Sequence, residues 1–237
     1  MNDSEIDNLL EAARASREPG QGPDPETLNR IAASVQASLK PVRPLPSRWA
    51  LAAGLLLIAA AVAVAGAARA GFSGIEQMAP WQRLLIFPVL GILAAIAASE
   101  LVSAMTPGRA RRISSGALLT IAIAALLAVF ALSFRDYQTV HFVSAGVTCL
   151  VVGTLHAIPA ALLSWLLLRR GFAVNPAAAG LAAGALAGLA GLCVLELHCN
   201  NFQAAHVLVW HTAVVLLCAV AGALVAWVLH RLSSISG

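Results

Sequence analysis

The sequence predicts an all-α membrane protein: a bundle of six transmembrane helices preceded by a short, amphipathic, partly disordered N-terminal tail in the cytosol. Of the 237 residues, 59% are hydrophobic and 11% are charged, whereas soluble domains usually carry about 25% charged residues. The apolar residues form long blocks, and about 20 apolar residues are enough to cross the hydrocarbon core of a bilayer. Most arginines lie between these blocks, where positive charges determine topology.

Residues 1–48 are predicted to form the cytosolic tail, and residues 49–237 the transmembrane domain. Apolar residues recur at helical spacing in two stretches of the tail. These residues are Ile6, Leu9, Leu10 and Ala13 in the first stretch, and Leu28, Ile31, Ala32, Val35 and Leu39 in the second. Asp24, Pro25 and Glu26 indicate where the second helix begins, because proline and acidic residues favour the first turn. Each helix is too short to be stable alone in water, so we expect partial disorder until the tail binds a partner.

Six apolar blocks follow the tail and predict six transmembrane helices joined by short connections. They cover approximately residues 49–70, 83–105, 115–134, 147–168, 177–197 and 207–230. Assigned to alternate sides of the membrane, twelve lysines and arginines lie on the side of the tail and three on the other. Because loops rich in Lys and Arg remain in the cytosol, both termini are predicted to be cytosolic.

The fifth block is poor in large side chains, and Gly180, Gly184 and Gly188 recur in it every four residues. A ridge of small residues lets helix backbones approach closely in a membrane. The ridge is therefore predicted to serve packing within the bundle, with a homodimer contact or a sliding helix as alternatives.

Cysteine and histidine residues concentrate at the predicted outer end of the bundle. Cys149 lies near the start of the fourth block, and Cys199 lies just beyond the fifth. His198, His206 and His211 surround the same outer loop, and the carboxylate of Glu196 lies just below it. Thiols and imidazoles are ligands of soft and borderline metals, and two cysteines in an oxidising compartment can instead form a disulfide. The spacing leaves a heavy-metal site and a disulfide open as alternatives, and it specifies no cofactor.

The other polar residues within the blocks are predicted to be structural. Cys193 and Cys218 are interpreted as small packing residues, His156 as a buried hydrogen-bonding residue, and Glu100 as an anchor near the inner interface. Motifs of metalloproteases, serine hydrolases and nucleotide-binding enzymes are absent from the sequence. The sequence therefore favours a protein that is not an enzyme.

Three segments of the sequence occur together in a familiar order. They are residues 39–46 before the first block, Cys149-Leu150 in the fourth, and Leu197-His198-Cys199 followed by Trp210-His211. In this order they resemble the NrsF family of the bacterial inner membrane, whose members are negative regulators of extracytoplasmic-function sigma factors. The chain departs from the family at Asn200-Asn201, where a proline or an acidic residue often follows the second cysteine.

The resemblance implies an anti-sigma factor of the bacterial inner membrane. Its tail would bind the sigma factor, and Cys149 and Cys199 would sense a metal or an oxidant; no direct contact with nucleic acid is implied, and a homodimer is left open. The tail residues proposed to make the contact are Leu28, Ile31, Val35 and Leu39. The alternative is a small metal or solute transporter whose outer Cys/His cluster is an entry site, which requires a polar path through His156 to Glu100. A membrane oxidoreductase is less favoured, because paired axial histidines deep in facing helices are missing.

Overall fold

The computed structural model describes residues 24–38, 46–106, 113–168 and 175–235, together with positions 8, 11 and 173. Contacts between residues divide the chain into two units, Met1–Pro44 and Leu45–Gly237. The predicted first tail helix with Ile6, Leu9, Leu10 and Ala13, the partial disorder of the tail, and Leu39 lie outside the described residues.

The described part of the first unit is helix α1, Pro25–Ser38. The prediction that this helix begins at Pro25 is confirmed, and the Leu28 amide donates to the Asp24 carbonyl in the first helical hydrogen bond. The apolar side chains of Leu28, Ile31 and Val35 are about half exposed, at 49%, 54% and 50%. Helix α1 therefore presents an apolar face.

The second unit contains six helices that are long and apolar enough to cross a membrane. Five are α2 (Arg48–Ala70), α4 (Pro80–Ala104), α5 (Ser115–Ser133), α6 (Phe142–Leu168) and α7 (Pro176–His198). The sixth consists of α8 (Ala204–His206), a π-helical turn (Val207–His211, the π-turn) and α9 (Thr212–Ile235). A short helix, α3 (Ser73–Gln77), joins α2 to α4. The predicted six-helix all-α bundle is confirmed, and the part of the chain described here contains no β-strand.

Helix α6 is longer than the hydropathy of its sequence predicts. It begins at Phe142, whereas the predicted block begins at residue 147. The additional turn contains Ser144, whose backbone carbonyl accepts a hydrogen bond from the Thr148 hydroxyl at 3.0 Å. The Ser144 hydroxyl itself donates to the His141 carbonyl at 3.3 Å, so the polar side chain of the added turn is satisfied by the backbone at the start of α6.

Helix α7 is the most enclosed of the spanning helices. In its most apolar stretch 72% of the residues are buried, compared with 22–44% in the other five helices. Gly180, Gly184 and Gly188 face the backbone of α9. A Cβ atom at Gly184 would overlap the Cys218 carbonyl, and one at Gly188 would lie 2.7 Å from the Cα atom of Val215. The prediction that the glycine ridge packs within the bundle is confirmed.

The two ends of the bundle differ in composition. At the end where α2 begins and α9 ends, the Arg48 guanidinium lies 5.0 Å from the centre of the Trp49 ring, and the Arg231 guanidinium lies 4.8 Å from that of Trp227. Such amphipathic residues are common at membrane interfaces. The opposite end, where α2, α5 and α7 end, is called the distal end.

Candidate metal or redox site at the distal end

The distal end brings together two thiols and two imidazoles from three segments of the chain. One ligand atom from each of the four residues lies within 4.8 Å of the others. The residues of this distal cluster are Cys149, Cys199, His206 and His211. The sulfur atoms of Cys149 and Cys199 are 3.6 Å apart, and the Cys199 sulfur is 3.8 Å from Nε2 of His206.

Cys149 reaches the cluster because α6 has a glycine one turn on either side of it. A Cβ atom at Gly146 would overlap the ring of Trp210. On the other side, the backbone of Gly153 contacts Gly191 of α7 so closely that a Cβ atom on Gly191 would overlap the Gly153 carbonyl. The two glycines therefore let α6 approach both partner helices. Cys149 lies two turns inside α6 rather than near its start, because α6 begins earlier than predicted.

Cys199 caps the carboxyl end of α7, where its amide donates to the Leu195 carbonyl at 2.7 Å. The short helix α3 packs directly on this cap. A Cβ atom at Gly74 would lie 2.8 Å from the Cys199 carbonyl oxygen, and the Ser73 hydroxyl donates to the His198 carbonyl at 2.7 Å. The connection between α2 and α4 thus holds the loop that carries Cys199.

His206 and His211 are five residues apart, and the π-turn between them determines their geometry. In an α-helix of 3.6 residues per turn, side chains five positions apart point about 140° away from each other. A π-helical turn, in which hydrogen bonds join residues five apart, brings such positions onto the same side. The ring centroids of His206 and His211 are 5.2 Å apart as a result.

Glu196 of α7 orients the second imidazole. Nδ1 of His211 donates a hydrogen bond of 2.7 Å to Oε1 of Glu196, and both side chains are almost fully buried. Because Nδ1 is bonded to Glu196, Nε2 is the ring nitrogen of His211 left to bind another partner. This atom and Nδ1 of His206 are buried and have no hydrogen-bond partner among the described residues.

The thiol of Cys199 lies outside the spanning helices and is held in an environment that favours its thiolate. The contact with Cys149 lowers the pKa of the Cys199 thiol below its usual range, burial opposes this effect, and His206 and His211 lower the pKa further. The thiolate is the form of cysteine that binds metals and reacts with oxidants. Cys199 is therefore prepared for either chemistry.

The cluster is accessible from an open pocket of about 370 Å³. Cys149, Cys199 and His206 line the pocket together with His198 and Asn200. A small ion or oxidant entering the pocket therefore meets both thiols.

Three further polar residues of the distal end lie beside the cluster without belonging to it. The side chain of His198 lines the pocket but is not among the four residues that converge. Asn200 and Asn201 support the loop: Oδ1 of Asn200 lies 2.7 Å from the Ser73 hydroxyl, and Oδ1 of Asn201 accepts from the Gln203 amide at 3.1 Å. The two asparagines that depart from the family pattern therefore hold the turn.

Two further polar residues lie within the spanning helices. Nδ1 of His156 donates to the Val152 carbonyl at 2.8 Å, so the prediction of a hydrogen-bonding role is confirmed, but the side chain is half-buried rather than buried. His156 also lines a second open pocket of about 380 Å³ with Arg69 and Pro159. Glu100 is buried, and its Oε2 atom has no hydrogen-bond partner in the described part of the chain.

Comparison with known proteins identifies a family that matches most of the chain. The NrsF family model, described as negative regulator of sigma F, matches residues 35–232. The match includes all four residues of the distal cluster and begins within α1. No curated protein and no solved structure was found to match the chain.

Proposed function

Because the chain belongs to the NrsF family of negative regulators of sigma F, we propose that it is a membrane-bound anti-sigma factor for an extracytoplasmic-function sigma factor. Its N-terminal tail sequesters the sigma factor, and the distal cluster releases it on sensing a metal or an oxidant. The observation that carries the proposal is the 3.6 Å contact between Cys149 and Cys199 in a chain of this family.

The apolar face of α1 is the proposed contact with the sigma factor. Leu28, Ile31 and Val35 recur at i, i+3 and i+7 and are about half exposed, which is the pattern of a helix that binds in an apolar groove. Leu39 is the next apolar residue at this spacing in the sequence and is included in the proposed contact. Only the last part of α1 falls within the family match, so the contact rests on this face rather than on the match.

The proposed location is the bacterial inner membrane, with both termini in the cytosol. The uneven distribution of lysine and arginine supports this orientation, which assigns the distal cluster to the periplasmic face. The tail then meets cytosolic proteins while the open pocket meets periplasmic ions and oxidants. Signal and response are on opposite sides of the membrane.

Release of the sigma factor requires two arrangements of the bundle that bind the signal with different affinity. Helix α7 is the proposed moving element, because it carries Glu196 and is capped by Cys199. It is also the most enclosed spanning helix, so a displacement of α7 reaches the rest of the bundle.

The test is co-purification of the full-length chain with sigma factors from membranes of the host. A triple variant, Leu28→Asp, Ile31→Asp and Val35→Asp, is compared with a control that adds the same charge to the opposite face of α1. The control substitutions are Asn29→Asp, Ala33→Asp and Ala37→Asp.

We expect one sigma factor to co-purify with the intact chain and with the control, and to be lost from the triple variant. If both variants retained the sigma factor equally, the apolar face of α1 would not be the contact. Absence of any sigma factor from the intact chain would favour the transporter, which a metal-uptake assay then tests.

A further inference from the structure

We propose that the distal cluster is a four-coordinate site for a divalent cation of the zinc class, such as Zn²⁺ or Cd²⁺, with two thiolates and two imidazoles as ligands. Glu196 is a positioning residue that aims His211 at the cation. The regulatory meaning of this site rests on the proposed function, whereas cation binding is measured without a sigma factor.

The separations of the ligand atoms fit tetrahedral coordination. Bonds of about 2.3 Å from Zn²⁺ to sulfur and about 2.0 Å to nitrogen place the ligand atoms of a tetrahedron about 3.3 to 3.8 Å apart. The two sulfurs are 3.6 Å apart, and the Cys199 sulfur and Nε2 of His206 are 3.8 Å apart. All four ligand atoms lie within 4.8 Å of one another, so shifts of about 1 Å complete the tetrahedron.

The hydrogen bond from Nδ1 of His211 to Glu196 leaves Nε2 as the ligand atom. Metal-binding histidines usually donate their other ring nitrogen to a carboxylate or a carbonyl, which fixes the tautomer and the orientation of the ring. Nε2 of His211 is buried without a hydrogen-bond partner in the described part of the chain. A buried polar atom of this kind is costly unless it is satisfied, and a cation in the cluster satisfies it.

The two imidazoles distinguish this site from the other reactions of a cysteine pair. A disulfide between Cys149 and Cys199 uses both sulfurs and gives the buried histidines no partner. A soft cation held by the two sulfurs alone also leaves the histidines without a role. Two thiolates balance the charge of one divalent cation, and neutral imidazoles suit borderline metals. The full set of ligands is therefore matched by a zinc-class cation.

The first experiment titrates the reduced, full-length chain in lipid nanodiscs with Co²⁺, whose visible absorption reports tetrahedral coordination by thiolates and imidazoles. Competition with Zn²⁺ then gives the zinc affinity, since Zn²⁺ binds such sites more tightly than Co²⁺. We expect one Co²⁺ per chain with a tetrahedral spectrum. His206→Ala and His211→Ala should each weaken binding at least tenfold and change the spectrum.

Glu196→Gln should weaken binding by about 10- to 100-fold while the spectrum remains tetrahedral, because the four ligands are still present. His141→Ala and His230→Ala are the controls, since both residues are exposed and neither belongs to the cluster. A monodisperse chain with an unchanged far-UV spectrum shows that each variant is folded.

Two results would overturn the inference. Unchanged Co²⁺ affinity and spectrum in both histidine variants, with loss of binding in Cys149→Ala, would establish a site made of thiols alone. Absence of cation binding to the reduced wild-type chain would exclude the site altogether. If the chain releases its sigma factor on oxidation but binds no cation, the proposed function stands and this inference fails. If it binds the cation but no sigma factor, this inference stands and the proposed function fails.

Discussion

Glu196 accepts a 2.7 Å hydrogen bond from Nδ1 of His211, and this bond joins α7 to the end of the π-turn inside the bundle. Charged side chains at membrane depth are costly and usually have a partner. Here the partner is an imidazole of the distal cluster. The pair therefore connects the structural core of the bundle with its reactive end.

Removing this carboxylate should destabilise the bundle. Glu196→Leu leaves the Nδ1–H of His211 buried without an acceptor, which costs about 1–3 kcal/mol. The loss should appear as a lower melting temperature of the purified chain in nanodiscs. Glu76→Gln, on an exposed carboxylate of α3, should have little effect; an equal decrease in both variants would contradict the argument.

Replacing both cysteines of the cluster should abolish induction without abolishing repression. In Cys149→Ser with Cys199→Ser, the tail is intact, so a sigma-dependent reporter should stay repressed when cadmium or an oxidant is added. The matched control is Cys193→Ser with Cys218→Ser, whose thiols are not in the cluster, and it should respond like the wild type. A fully inducible Cys149/Cys199 variant would show that the signal is sensed elsewhere.

Because the pKa of the Cys199 thiol is lowered, its alkylation by a maleimide should continue at acidic pH. Thiolates react with maleimides and thiols do not; an ordinary thiol has a pKa of about 8.5, so its reaction slows as the pH falls below that value. In a Cys193→Ser, Cys218→Ser background, the reaction of Cys199 should continue at lower pH, because its contact with Cys149 lowers the pKa.

Cys149→Ala removes the largest cause of the shift and should raise the pKa of Cys199, so that its alkylation slows at a higher pH than in the parent chain. A membrane-impermeant maleimide added to intact spheroplasts also tests the orientation, since a periplasmic Cys199 is labelled and a cytosolic one is protected. The pKa argument would fail if the pH dependence were the same with and without Cys149.

Changing the number of residues in the π-turn tests whether its geometry positions His206 and His211. Deletion of Val209, which is half exposed, leaves His206 and His211 four residues apart, and an α-helix keeps such positions on one face. We therefore expect Co²⁺ binding within about tenfold of wild type, the margin of roughly 1.4 kcal/mol. Insertion of one alanine after Val209 moves the histidines six apart and should abolish tetrahedral binding. The two variants would behave alike only if the π-turn did not position the histidines.

The glycine ridge should tolerate no side chain where α7 touches α9. Gly184→Leu would drive its side chain into the Cys218 carbonyl, and overpacking of this kind costs about 1–3 kcal/mol or more. Gly91→Leu is the control, because a Cβ atom at Gly91 meets no neighbour within 4 Å. Thermal unfolding in nanodiscs should show a loss of stability for the first variant only.

The six spanning helices could be predicted from hydropathy because a bilayer requires long apolar segments whatever their tertiary contacts. The start of α6 could not, since the hydroxyls of Ser144 and Thr148 donate to backbone carbonyls three and four residues earlier and are satisfied there despite their polarity. The mean hydropathy of α7 is also similar to that of the other spanning helices. Its central position depends on which backbones its glycines contact, and that is a property of the folded chain.

The distal cluster was predictable in part. Cys149 and Cys199 follow from the alternation of the helices across the membrane, which brings them to the same end. The sequence also predicts His206 and His211 at this end, but α-helical periodicity would direct the two rings apart, and no sequence signal marks the π-turn. Glu196 gave one signal, a carboxylate within an apolar block, and only its distance to His211 assigns it a partner.

The direct contact of backbone with backbone along the glycine ridge has a mechanical consequence. Side chains between two helices can change rotamer and absorb a displacement. Gly180, Gly184 and Gly188 have no side chains, so the backbones of α7 and α9 are in direct contact there. The two helices therefore form a stiff pair. We therefore expect a displacement of α7 at Cys199 to carry α9 with it toward the opposite end of the bundle.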